Sequence, residues 1–255
     1  MAYKIMLDAG HGGFEPGAIY NGRQEKDDNL KLTLDVGERL KAYGYDVVYT
    51  RTTDVYETPF AKATEANESG ADLFISIHRN SFPVDNEVKG VESLVYDKSG
   101  IKLEIAEAID QELVELGFVD LGVKARPNLV VLNKTEMPAV LVEAGFINSE
   151  EDNRLFDEKF EEIAQGIADG IYKVVGASGN YDMGKYYVQV GLFRVKKYAE
   201  RLVANLLNNR YPAMLEYDER GYYVVKVGNY NNLLSAINME QRLKRDGYET
   251  IIMTS

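Results

Sequence analysis

Among the 255 residues there are only two histidines, His11 and His78, and no cysteine. Each histidine follows an apolar run, Lys4–Leu7 or Leu73–Ile77, that reads as a buried strand, and each stands beside Gly or Asn loop residues. Ligands of open α/β sheets bind at the carboxyl ends of strands, so both imidazoles occupy the expected place for chemistry. Two neutral imidazoles and one carboxylate form a catalytic zinc set whose fourth position is left to water. Two carboxylates are candidates. Glu25 lies in a Gln24-Glu25-Lys26 turn at the head of a helical pattern, and Glu143 directly follows the apolar strand Ala139–Val142. A carboxylate at the end of such a strand is costly unless it has a partner or a task. Intervals of 14 residues from His11 to Glu25 and 53 from Glu25 to His78 exclude a compact His-Glu-x-x-His helix. Spacing alone therefore points to metal-assisted hydrolysis and leaves the substrate open.

The elements that must hold these residues alternate in type. Lys4–Leu7 reads as a strand, and Asp27–Lys41 carries Leu30, Leu34, Gly37 and Leu40 at helical spacing before a stop at Gly44. Asp46–Tyr49 is a strand, Pro59–Ser69 a helix ended by Gly70, and Leu73–Ile77 a second buried strand. Val91–Tyr96 is a strand, Ile101, Ile105, Ile109, Leu113 and Leu116 mark one helix face, and Ala139–Val142 is a further strand. Ser149 and Asp152 resemble a capping box that opens a last helix or helix pair through Tyr172. This alternation predicts an α/β fold with a largely parallel sheet and helices on both faces.

A second module follows. Residues 1–176 hold 18 Lys and Arg against 33 Asp and Glu, whereas residues 177–255 hold 11 against 8 and carry 10 of the 18 tyrosines. The small, polar run Gly176-Ala-Ser-Gly-Asn180 reads as a linker, which divides the chain into residues 1–175, a linker 176–184 and residues 185–255. The tail repeats itself at a displacement of 37 residues: Tyr186-Tyr-Val-Gln-Val-Gly191 matches Tyr223-Val-Val-Lys-Val-Gly228, and Ala199, Leu206 and Tyr211 match Ala236, Leu243 and Tyr248. Two strand–helix–strand copies predict one small α+β domain of βαββαβ order. An RNA-recognition fold shares that order, and Arg220-Gly-Tyr half-matches its signature, but Val224 and Val227 stand at the later aromatic positions. The weak positive charge of the tail also argues against a nucleic-acid partner.

Composition sets the remaining bounds. An apolar share of 45% and a net charge of −12 describe an ordinary globular chain. The absence of cysteine excludes disulfides, thiol nucleophiles and Cys-type metal sites. No apolar run is long enough to span a membrane, and the N-terminus lacks the pattern of a secretory signal peptide.

Seven motifs recur in the order of one known family: Leu7-Asp-Ala-Gly-His-Gly-Gly13, Gly17-Ala18, Gln24-Glu25-Lys26, Thr50-Arg-Thr-Thr-Asp54, Ala66-Asn67, Phe74-Ile-Ser-Ile-His-Arg-Asn80 and Met137-Pro-Ala-Val-Leu-Val-Glu-Ala-Gly-Phe-Ile-Asn148. Residues 3–174 thereby resemble the zinc-dependent N-acetylmuramoyl-L-alanine amidases, which hydrolyse peptidoglycan, and the tail resembles a sporulation-related repeat (SPOR) domain, which binds glycan strands. The combination resembles cell-lytic amidases of spore-formers and the related phage endolysins. The resemblance implies His11, Glu25 and His78 as zinc ligands and Glu143 as the catalytic carboxylate. The chain departs from the family at position 79, usually small, which is Arg79; Arg79 and its neighbour Asn80 are candidate substrate contacts. For Arg79 a solvated loop charge is the competing expectation. Position 62, where the family often has Arg, is Lys62. Peptidoglycan is the implied partner, with synthesis in the cytoplasm and action on the wall after lysis or non-classical release. A zinc carboxypeptidase or endopeptidase acting on stem peptides, and a catalytically silent wall-binding protein, are the alternative readings.

Overall fold

The computed structural model describes residues 3–176, 186–230 and 233–254. The chain separates into two compact units, Met1–Gly179 and Asn180–Ser255. Apart from Gly176, the expected linker 176–184 lies outside the described residues.

The first unit is built from the alternation read in the sequence. Strand β1 (Lys4–Ala9) leads through a Gly-rich loop to a small hairpin, β2 (Ile19–Tyr20) and β3 (Arg23–Gln24), and then to α1 (Glu25–Ala42). The hairpin turns at Asn21-Gly22, both with positive φ (49° and 83°), as a tight two-residue loop requires. Strand β4 (Asp46–Tyr49), α2 (Pro59–Ser69) and β5 (Leu73–Asn80) follow. The Thr58 hydroxyl caps α2 by accepting from the Ala61 amide, Pro59 supplies a preset first turn, and Gly70 ends the helix at φ 68°. Strand β6 (Glu92–Val95), α3 (Gly100–Glu115), β7 (Lys124–Ala125), α4 (Val130–Asn133) and β8 (Ala139–Phe146) complete the sheet. Two helices close the unit, α5 (Glu150–Glu158) and α6 (Phe160–Val175). Ser149 caps α5 at 3.2 Å from the Asp152 amide, as expected.

The sheet runs β4-β1-β5-β8-β6-β7. Every pairing is parallel except β6 with β8. Met6, Phe74, Leu94, Ala139 and Leu141 cover one face beneath Ala66 of α2 and Val131 and Leu132 of α4. The alternate residues Ile5, Leu7, Ile75, Ile77, Val140 and Val142 are equally enclosed and point the opposite way. On that side α6 packs against both α1 and α3. The fold is therefore α/β, with helices on both faces of a largely parallel sheet.

Three of the boundaries that differ from the sequence reading matter to the site. β5 does not stop at Ile77 but continues through Asn80, because β8 offers it ladder partners as far as Phe146. β8 continues past Val142 for the same reason, so Glu143 lies within a strand. Glu25 is the first residue of α1 and not part of a preceding turn. The apolar runs ended early because polar side chains occupy strand positions that face the site.

The second unit contains a four-stranded antiparallel sheet, β10-β11-β9-β12, from β9 (Tyr186–Phe193), β10 (Ala213–Tyr217), β11 (Tyr223–Tyr230) and β12 (Ile251–Thr254). Its helices are α7 (Lys196–Asn208) and α8 (Leu233–Arg245). β11 and α8 lie 37 residues beyond β9 and α7, β12 ends 37 residues beyond the end of β10, and the repeated Ala199, Leu206, Ala236 and Leu243 are all fully buried.

Candidate active site

Register brings the polar residues together. His78 of β5 lies beside Glu143 of β8, and Glu143 in turn lies beside Glu92 of β6. Register partners in a pleated sheet point to the same face, so one imidazole and two carboxylates stand in a row across three strands. His11 comes from the loop after β1 and Glu25 from the start of α1. His11 holds a left-handed conformation at φ 61°, uncommon for a residue with a side chain and a form of strain found at functional sites.

The three side chains converge on one point. Glu25 Oε1 lies 3.0 Å from His11 Nε2 and 2.9 Å from His78 Nδ1, and the two rings meet edge to face at 4.9 Å between centroids. One ligand atom from each of His11, Glu25 and His78 lies within 4.8 Å of the others. Glycines make the approach possible. A Cβ on Gly10 would lie 2.2 Å from the His78 ring, and one on Gly17 would lie 2.5 Å from Glu25 Oε2 and 2.6 Å from the His11 ring. Two imidazole nitrogens and a carboxylate oxygen, gathered where neighbouring residues have given up their side chains, fit a divalent cation of the zinc type.

Electrostatics agree with that donor set. Burial works to raise the Glu25 carboxyl, but His11 and His78 hold it well below the usual carboxylate range. Burial works to lower His11, yet Glu25 and Glu15 lift it to about 9. The site thus gathers carboxylates around two imidazoles, an arrangement whose negative charge a bound cation would offset. Glu143 behaves differently. Burial pushes its carboxyl up to about 7; His78 opposes this while Glu25 and Glu92 add to it. Its Oε2 is buried and has no hydrogen-bond partner among the described residues. A carboxylate poised near neutrality with a free oxygen has the properties of a general base.

Several supporting residues were not singled out in the sequence. The Glu15 carboxylate pairs with His11 Nδ1, opposite the nitrogen that faces Glu25, and its other oxygen accepts from the Gly17 amide at 3.1 Å. Such a carboxylate fixes the tautomer and orientation of a ligating histidine. Asn29 donates to Glu25 Oε1 at 3.1 Å from one helical turn further along α1. Its i, i+4 spacing was a usable signal; Glu15 lies in a loop, where no period applies. Glu92 accepts from Asn80 Nδ2 at 2.9 Å and pairs with Lys124.

Arg79 corrects both readings of that residue. It is neither a solvated loop charge nor a surface contact, because it lies in β5 with a wholly enclosed side chain. Its guanidinium donates to Asp28 at 2.7 Å and Asn153 at 2.8 Å and stacks 4.0 Å above the Phe156 ring. Its amide donates to Glu25 Oε1 at 3.2 Å, so its contribution to the site is through the backbone. Asn80, at the end of β5, is half-buried and held by Glu92. Lys62 is also buried, paired with Asp8 at 2.7 Å and donating to the Ala9 carbonyl at 2.8 Å, which braces the end of β1 just before His11.

Residues 5–173 match the N-acetylmuramoyl-L-alanine amidase family and residues 182–254 the SPOR domain family. The sporulation-specific N-acetylmuramoyl-L-alanine amidase of Bacillus subtilis (strain 168) is 36% identical over 208 residues, covering 79% of this chain and 80% of its own. The endolysin of Bacillus phage SPP1 is 36% identical over 185 residues, 69% of this chain and 67% of its own. Among solved structures, the N-acetylmuramoyl-L-alanine amidase from Clostridium difficile 630 superposes with a TM-score of 0.65 at 32% identity, covering 70% of this chain and 99% of that one.

Proposed function

The chain belongs to the N-acetylmuramoyl-L-alanine amidase family and carries a SPOR domain, and from that premise we propose that His11, Glu25 and His78 hold a zinc ion and that Glu143 is the catalytic base. The enzyme hydrolyses the amide between the lactyl group of N-acetylmuramic acid and L-alanine of the stem peptide, and so degrades the cell wall. When bound, zinc supplies Lewis acidity, drawing the pKa of water from about 15.7 towards about 7 and polarising the scissile carbonyl.

The chain's own residues do the rest. Glu15 and Asn29 hold His11 and Glu25 in place, so the donor set is organised before any ligand arrives. Glu143 Oε2 takes the proton of the attacking water and delivers it to the departing amine of L-alanine. A rigid strand suits this task, since a base must stay within hydrogen-bond reach of the proton it moves. Asn80, at the strand end beside Glu92, is a candidate contact for the substrate. The tail supplies affinity for glycan strands and keeps the enzyme on its insoluble substrate.

The unpartnered Oε2 of Glu143 is the observation that carries the role assignment. Glu143→Gln is expected to retain stoichiometric zinc while losing at least about 10²-fold in kcat, the low end of what a positioned base contributes. Glu25→Gln is expected to lose zinc affinity together with activity. A Glu143→Gln variant that stays substantially active overturns the assignment of the base.

A further inference from the structure

Beside the site stands an aromatic pair that the catalytic scheme does not use. Phe14 is 81% exposed, Tyr56 is 38% exposed, and their ring centroids lie 4.3 Å apart. Phe14 occupies the tip of a tight turn closed by reciprocal backbone hydrogen bonds between Gly12 and Glu15, at 2.9 and 3.1 Å. The turn is pinned from outside as well. The Gly13 amide donates to Asp54 at 2.7 Å, its carbonyl accepts from Lys26 Nζ at 2.8 Å, and Lys26 and Asp54 pair at 2.6 Å. Gly12 and Gly13 press against the backbone of Val55 and Tyr56 so closely that a Cβ would lie 2.1 Å from the Val55 carbonyl oxygen or 2.9 Å from the Tyr56 amide. Two loops are thus locked together with their aromatic rings in tilted contact at 41°, Phe14 almost fully open to water and Tyr56 partly so.

We propose that Phe14 and Tyr56 form a stacking platform for a sugar ring of the glycan strand, next to the muramic acid whose amide is cut. This rests on the amidase activity given above and adds a subsite to it. The turn that carries Phe14 also carries Glu15, which binds the Nδ1 edge of His11, while the opposite Nε2 edge faces Glu25. Phe14 thus belongs to the turn that holds the Nδ1 edge of His11 rather than the Nε2 edge, and its Cα lies within about 10 Å of the His11 Cα by chain reach. That position suits a neighbouring sugar rather than the one bearing the scissile bond. The chemistry of the patch also favours sugar over stem peptide. Of the charges around the patch, Lys26 and Asp54 are engaged with each other and with the turn and Glu15 with His11, while Glu57 beside Tyr56 disfavours a carboxylate-bearing peptide, leaving aromatic faces that suit the C–H face of a pyranose.

The test compares the full-length protein with Phe14→Ala, Phe14→Tyr and Tyr56→Ala on two soluble substrates with identical stem peptides. One carries a single N-acetylmuramic acid and the other an oligosaccharide of alternating N-acetylglucosamine and N-acetylmuramic acid. Phe14→Ala and Tyr56→Ala are expected to lower kcat/KM on the oligosaccharide about tenfold with little change on the monosaccharide, and Phe14→Tyr to restore it. The SPOR domain is present in every variant, so it cancels from the comparison. Zinc content and monosaccharide turnover report the amidase site independently, which separates failure of the platform from failure of the active-site assignment. If Phe14→Ala also loses zinc, Tyr56→Ala, which leaves the turn's own chain intact, decides on the same substrates. Equal losses on both substrates, no loss on either, or a loss that follows stem-peptide length at constant glycan length overturns the proposal.

Discussion

His11, Glu25 and His78 meet because two of their neighbours have no side chain. Gly10 faces the His78 ring at a distance that no Cβ tolerates, and Gly17 does the same for Glu25 and His11. Gly10→Ala therefore has to displace His78 or shift β1 against β5. Because β1 and β5 are fully buried at Ile5, Leu7, Ile75 and Ile77, the ring is the easier part to move. Zinc affinity is expected to fall at least about tenfold, within the range seen when support for a ligand is removed, with circular dichroism unchanged. Chelator competition measures this, and parental affinity in Gly10→Ala contradicts the close approach. Arg79 and Lys62 show the opposite use of charge. Both are buried beneath the site, and removing one partner of a buried ion pair such as Asp8–Lys62 costs about 3–5 kcal/mol because the other charge is stranded.

At the level of elements, a buried carboxyl ties α3 to β6. Asp110 of α3 accepts from the Ser93 amide at 3.1 Å and from its hydroxyl at 2.6 Å, and burial pushes the Asp110 carboxyl up to about 6. A carboxyl raised above its unfolded value stabilises the fold in its protonated form. That contribution is complete below the unfolded pKa and is lost as pH rises through about 6. Asn at this position can donate to the hydroxyl and accept from the amide without ionising. Relative to the parent, Asp110→Asn should therefore gain stability between pH 5 and pH 8, by about 1 kcal/mol on the linkage relation. Urea unfolding of both proteins at the two pH values measures the change. A constant difference means that Asp110 does not titrate in this range.

At the level of the whole molecule, the acidic catalytic unit and the mildly basic, Tyr-rich tail are separate compact bodies. No described helix is long and apolar enough to cross a membrane. Several tail tyrosines are structural. Tyr211 is buried, meets Tyr248 edge to face at 5.9 Å and donates to Asp246 at 2.6 Å. Others remain available, such as Tyr217, which is exposed and packs 4.7 Å from Tyr223 on the neighbouring strand. Truncation after Val175 should leave turnover of soluble muropeptides intact and weaken co-sedimentation with insoluble wall. Equal sedimentation with and without the tail would remove its binding role.

What the sequence determined by itself was whatever depends on local period or on residue type. Alternating strands and helices implied a largely parallel α/β sheet, the 37-residue displacement anticipated the two halves of the small domain, and two histidines after apolar runs marked the site. The start of α2 at Pro59 and its end at Gly70 were legible for the same reason, because Thr, Pro and Gly act through the backbone of their immediate neighbours. Tertiary structure decided where those signals ran out. Only the parallel pairing with β8 extends β5 through His78, and only register sets His78, Glu143 and Glu92 side by side. The Glu15 contact to His11 depends on a loop closed by left-handed residues, and the burial of Arg79 on a ring and an aspartate drawn from distant elements. These contacts join residues far apart in the chain or in loops without a period, so no local pattern encodes them, and packing alone selects which of the charged residues become machinery.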